Sequence, residues 1–236
     1  MKVTAKDISR NLVELGNSTV AEHSQRFFKT GKGEYGEGDK FLGIRVPIIR
    51  KQVKKYKDIS LEIISNLLKS SYHEVRLFAV LMLVRKFSNG DDREKSKIYS
   101  LYMNSTKYVN NWDLVDSSAS YIVGAYLADK DKQPIYDMAK SESLWERRIS
   151  IMSTFHFIRN NDFSDALKIS EILIDDREDL IHKAVGWMLR EIGNRSLAIE
   201  EEYLKEHYKK MPRTMLRYSI EKLPKEKRKA YLTGTM

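Results

Sequence analysis

Three short stretches carry residue types able to work on a polyanion. In Asn111-Trp-Asp-Leu-Val-Asp-Ser117, Trp112 and Asp116 are four residues apart and share one side of a helix. Asp113 points elsewhere and can serve the helix N-terminus. Asp116 falls at the edge of an apolar stripe of Val115, Ala119, Ile122 and Tyr126, which sets a partly desolvated carboxylate beside an indole. The same placement suits an aspartate that caps the helix or holds an ion pair. In Leu144-Trp-Glu-Arg-Arg-Ile149, Arg147 and Arg148 open a helix against its macrodipole, which invites an anion. Pairing with Glu142, Glu146 or another helix would satisfy them equally. Along 181–192, Ile181, Val185, Met188, Leu189 and Ile192 form one apolar stripe. Trp187 falls opposite it, with Lys183 one turn before and Arg190 almost one turn after. An indole between cations suits nucleic acid, the ring meeting a sugar or base and the cations meeting phosphates. Cover by a neighbouring helix is the alternative for Trp187.

Composition narrows the setting. Net charge is +9 over 236 residues and the pI is about 9.4, a basic excess that favours nucleic acid or an anionic membrane surface as partner. Arg76, Arg85, Lys86, Lys107, Arg213 and Arg217 could extend a basic stripe, although any one of them alone is a solvated cation. With no cysteine, disulfides, zinc fingers, iron–sulfur clusters and thiol nucleophiles are excluded. The five histidines are scattered, none forms an HExxH-type pair, and no metal site is expected. No apolar signal core opens the sequence and no stretch of about 18 apolar residues occurs, so a cytoplasmic protein that does not span a membrane is expected.

Helices must carry these residues. Period-3.6 patterning dominates and strand alternation is nearly absent. It predicts helices over 4–15, 18–29, 48–56, 60–69, 72–88, 91–103, 111–128, 132–140, 143–160, 163–174, 178–193, 196–209, 211–222 and 224–231, with Ser18 and Thr19 capping the second. The conspicuous non-helical stretch is a hydrophilic, glycine-rich loop over 31–46. It lacks GxxxxGK[ST] and a preceding strand, so it is a connector rather than a nucleotide loop. Arg76, Trp112, Arg148 and Ala184 follow one another at intervals of 36 residues, each near the start of a long helix preceded by a shorter one. That period reads as a HEAT-like array, here one domain over 1–236 with the second helix of each pair lining a concave face.

Trp112-Asp-Leu-Val-Asp116, Trp145-Glu-Arg-Arg148 and Lys183-Ala-Val-Gly-Trp-Met-Leu-Arg-Glu191, preceded by Phe41-Leu-Gly-Ile-Arg-Val-Pro-Ile-Ile-Arg50, resemble the motifs of the AlkD family of DNA alkylation-repair glycosylases. The resemblance spans roughly 20–220. It implies an all-α, right-handed superhelical array of HEAT-like hairpins wrapping alkylated double-stranded DNA as a monomer. The implied activity is base excision repair, the hydrolytic release of cationic N3- or N7-alkylated purines by a monofunctional glycosylase with no cofactor and no metal. By the resemblance, Trp112 and Trp187 pack on the lesion's deoxyribose, Asp116 lies against C1′, and Arg148 holds the neighbouring phosphate. Lys183, Arg190, Arg147 and Arg76 join as DNA-binding residues. A cationic purine is already a good leaving group, so what is needed is stabilisation of the oxocarbenium ion and a placed water. Two departures stand out: Asn111 occupies a position where well-known members carry another aromatic, and the 31–43 loop is longer and richer in glycine. The alternative is a non-catalytic helical-repeat protein that binds distorted or branched DNA.

Overall fold

The computed structural model describes residues 3–236. Among them there is no strand, only an isolated bridge between Lys40 and Tyr72. The chain divides into two compact units, Met1–Ser118 and Ala119–Met236.

The first unit holds α1 (Ala5–Glu14), α2 (Ser18–Phe27), α3 (Val46–Lys55), α4 (Leu61–Leu68), α5 (His73–Asn89), α6 (Asp92–Met103) and α7 (Trp112–Asp116). Local chemistry starts most of them. Thr4 and Asp7 close a capping box on α1. Asn17, one residue ahead of the expected cap, takes the Val20 N–H on α2, while Ser60 and Asp91 cap α4 and α6. Pro47 sits in the first turn of α3, where its missing N–H costs nothing. The 17-residue α5 is the axis of the unit and packs against α1, α3, α4, α6 and α7. Its side chains are buried on nearly every face over 73–83, as expected of a helix surrounded by others.

The second unit contains a π-turn over Ser120–Gly124 and then α8 (Ala125–Leu127), α9 (Gln133–Ala139), α10 (Leu144–Ser153), α11 (Phe155–Arg159), α12 (Ser164–Ile172), α13 (Asp179–Gly193), α14 (Leu197–His207), α15 (Arg213–Ser219) and α16 (Lys225–Thr233). Here α13 is central, contacting α10, α11, α12, α14 and α15. Gly186 lets α15 lie directly on it: a Cβ there would run into the Met215 carbonyl and come within 2.6 Å of Tyr218 Cβ.

Two predicted helices are broken, for the same reason. The run expected over 111–128 is interrupted after Asp116 and turns helical again from 119; at the break the Ser117 and Ser118 hydroxyls donate back to the Leu114 carbonyl at 3.2 and 2.6 Å. The run over 143–160 is interrupted at Thr154, where Ser153 and Thr154 donate to the Ile149 and Ile151 carbonyls. Hydroxyls that bond back to helix carbonyls weaken and bend a helix locally.

Candidate nucleic-acid interface

In the first unit the site is built outward from α7. Asn111, fully buried, caps that five-residue helix by accepting the Trp112 N–H at 2.8 Å, and its amide reaches Asp39 at 3.5 Å. Leu114 and Val115 are buried beneath, leaving Trp112 and Asp116 half-buried one turn apart. A buried charge cluster holds the start of α7. His73, the first residue of α5, contacts Asp39 through Nδ1 at 3.0 Å and Asp113 through Nε2 at 2.8 Å. Arg76 completes it, donating to Asp39 at 2.6 Å and to the Ser70 carbonyl at 3.0 Å.

These groups fix one another's protonation. Burial alone would lower the His73 pKa, but the Asp113 charge and the hydrogen bonds to both carboxylates push it up to about 9. At neutral pH it is an imidazolium between two carboxylates. Burial would raise the pKa of Asp39, yet the His73 hydrogen bond and the Arg76 charge outweigh it and hold the carboxyl below the usual range.

Aromatic rings stack on this base. His73 lies on Phe41 (centroids 4.5 Å apart), Phe41 on Phe28 (4.9 Å) and Phe28 on Trp112 (5.2 Å, planes 21° apart). One indole face is thereby supported, at about 0.5–1.5 kcal/mol per aromatic pair beyond area burial. Phe27, 58% exposed, meets Trp112 edge-on. The glycine-rich connector that supplies Asp39 and Phe41 is itself held. Glu74 accepts the N–H groups of Leu42, Gly43 and Ile44 at 2.8, 2.7 and 3.2 Å, and Gly43 at φ +78° makes the turn that presents them.

The second unit carries the remaining candidates. Arg147 donates to Asp176 at 2.6 Å and to the Ser141 and Glu142 carbonyls. Arg148 is 4% exposed and donates to the Leu180 carbonyl. Adjacent arginines of α10 thus grip the segment leading into α13. On α13, Trp187 is half-buried, donates from Nε1 to Glu191 at 3.2 Å, and lies 6.0 Å from Phe155. Arg159 stacks on Phe155 at 4.4 Å, and Arg195 pairs with Glu191 at 2.9 Å. Lys183 pairs with Asp179 at 2.7 Å, and Arg190 pairs with Glu221.

The structure therefore brings Trp112, Asp116 and Arg76 into one unit, Arg76 linked to α7 through Asp39 and His73. It groups Arg147, Arg148, Lys183, Trp187 and Arg190 on or around α13 of the other. Sequence reasoning missed His73, Asp39, Glu74 and the phenylalanines. The partners of His73, Asp39 and Glu74 lie 30 or more residues away, and among the phenylalanines only Phe41 stood in one of the motifs, with no sign that it stacks on Phe28 and His73. Among the described residues, no cluster of three His, Cys, Asp or Glu suited to a metal occurs, and no helix is long and apolar enough to cross a membrane.

An all-helical chain with half-buried tryptophans among paired cations and carboxylates defines a class with many members; the sequence narrows it. Residues 8–223 match the DNA alkylation repair enzyme family, and the chain belongs to it. Its fold is similar to that of a solved structure described as a predicted DNA alkylation repair enzyme from Enterococcus faecalis. That match has a TM-score of 0.67 and 17% identity, over 89% of this chain and 97% of that one. The crystal structure of smu.31 from Streptococcus mutans is similar with a TM-score of 0.50 and 20% identity, over 72% and 87%. At these identities the likeness is one of fold. No curated protein matches the chain.

Proposed function

We propose that this protein is a monofunctional DNA glycosylase that hydrolyses the N-glycosidic bond of cationic N3- or N7-alkylated purines in duplex DNA. The observation that carries the reading is α7: Trp112 and Asp116 are half-buried, one turn apart, on a helix whose start is locked by the Asp39–His73–Asp113 cluster. Membership of a DNA alkylation repair family supports it.

The chemistry fits these groups. Alkylation at N3 or N7 makes the purine cationic, so heterolysis of the C1′–N bond releases a neutral base and needs no general acid. Positive charge then develops at C1′ and O4′ of the sugar. The Asp116 carboxylate and the indole faces of Trp112 and Trp187 are assigned to stabilise that charge. Asp116 also orients the water whose oxygen attacks C1′ and takes up its proton. Neither a metal nor a cofactor is called for by these steps.

Lys183, Arg190 and Arg148 are assigned to backbone phosphates, while Arg147, held by Asp176 and two carbonyls, positions the segment ahead of α13. Arg148 is 4% exposed and donates to the Leu180 carbonyl, so its contact with a phosphate requires the guanidinium to leave that partner. Arg76 acts through Asp39 and His73 on the position of α7. The protein works as a monomer in this reading.

One observation favours a second reading, a non-catalytic protein that binds distorted or branched duplexes. Asn111, where relatives in the AlkD family carry an aromatic, is wholly committed to capping α7 and to Asp39, and presents no ring to DNA. Asp116→Asn separates the two. In the glycosylase it abolishes release of 7-methylguanine while duplex affinity changes less than about threefold, under 1 kcal/mol. Wild-type protein that binds lesion duplex yet releases no base above the spontaneous rate establishes the second reading instead.

A further inference from the structure

A cleft of roughly 800 Å³ in the second unit lies between α13, α15 and α16. Its lining includes Lys183, Arg213, Arg217 and Arg228, with Asp179 and Glu221 as carboxylates. In the free protein each carboxylate has a cation partner. Asp179 is held by Lys183 at 2.7 Å, and Glu221 pairs with Arg190. Arg213 donates to the Leu232 carbonyl at 2.6 Å, which satisfies a hydrogen bond but neutralises nothing. Among the described residues, no carboxylate pairs with Arg213, Arg217 or Arg228, and all three are exposed. Arg213 and Arg217 are four apart on α15, a like-charged arrangement that opposes helix formation.

Four cations against two carboxylates leave the lining with a net positive charge of two, which suits an anion. We infer that this cleft seats consecutive phosphates of one DNA strand, extending the duplex footprint beyond the lesion. Side chains one helical turn apart are about 5–6 Å apart at Cβ, and arginines starting from there reach neighbouring phosphates of a strand. Lys183 ties the cleft to the lesion contacts, because it lies on α13 one turn ahead of Trp187. The inference thus rests on the reading that α13 faces DNA, and adds Arg213, Arg217 and Arg228 to the contacts. The cleft positions the duplex without reading its sequence or its lesion.

The test uses undamaged duplex DNA, so it is independent of base release. Fluorescence anisotropy is measured from 50 to 200 mM salt for the wild type, for Arg217→Ala/Arg228→Ala, and for Lys209→Ala/Lys210→Ala, which loses the same charge outside the cleft. Each lost phosphate contact flattens the slope of log K against log salt by about 0.9, so the cleft variant should lose about 1.8. Across that salt range its affinity should fall about 12-fold less than that of the wild type. The lysine variant should keep the wild-type slope. Equal changes in the two variants would assign the effect to overall charge and overturn the inference, as would an unchanged slope in the cleft variant. A wild type that releases 7-methylguanine while the cleft variant keeps its slope refutes the cleft alone. A wild type with no salt-dependent duplex binding removes the DNA reading together with it.

Discussion

Replacing His73 by glutamine should cost stability below neutral pH and progressively less as the solution becomes alkaline. The imidazole is 2% exposed and touches two carboxylates at 3.0 and 2.8 Å. Its pKa is raised from 6.5 to about 9 in the folded protein. At about 1.36 kcal/mol per pH unit that displacement corresponds to about 3 kcal/mol. Because the folded value lies above the unfolded one, the contribution is fully present below pH 6.5 and is lost as the pH climbs through 9. Breaking a buried ion pair typically costs about 3–5 kcal/mol. The lower end is expected here, since Arg76 still compensates Asp39 and Asp113 is 18% exposed. Urea unfolding followed by circular dichroism from pH 6 to 9.5 gives the comparison. The gap between wild type and His73→Gln should be about 3 kcal/mol at pH 6 and should close by most of that amount at pH 9.5. A gap that stays constant across this range would refute the claim that a charged His73 holds α7 in place.

Three further outcomes follow from other parts of the structure. Glu200 is 3% exposed, its Oε1 has no partner, and burial followed by the neighbouring Glu201 charge pushes its pKa from 4.5 to about 8. The folded protein therefore holds a proton that the unfolded chain releases above pH 4.5, and Glu200→Gln should match wild type at pH 4.5 and gain about 2–5 kcal/mol at pH 8–9 in the same unfolding assay. Gly186→Ala should destabilise by about 1–3 kcal/mol through a clash with α15, read as a lower thermal midpoint. Trp187→Ala should slow single-turnover excision about 30-fold if its face contributes about 2 kcal/mol to the cationic transition state, while Trp187→Phe should keep most of the rate.

Much of the helix inventory was legible because it depends on neighbours in sequence. Capping residues, Pro47 and apolar spacing at three and four residues place α1, α3–α6, α9 and α12–α16 within a few residues of expectation. The pairing of Trp112 with Asp116, and the position of Trp187 off the apolar stripe, are local in the same sense. What escaped depends on partners far along the chain. Nothing in the sequence joins His73 to Asp39, 34 residues before it, or to Asp113, 40 residues after it. Arg76, read among surface cations, therefore turns out buried in that cluster. Arg147, which invited an external anion, meets Asp176 from the segment ahead of α13. The break after Asp116 was hidden as well. Ser117 and Ser118 fit a continuous helix by pattern, and the turn they form, with both hydroxyls on the Leu114 carbonyl, leaves no mark in that pattern.

The most direct measurement is free-base release from duplex DNA carrying a single 7-methylguanine, with folded protein in excess over substrate. The account predicts release well above the spontaneous rate by the wild type and none above it by Asp116→Asn. Release at the spontaneous rate by a wild type that binds the duplex would contradict it.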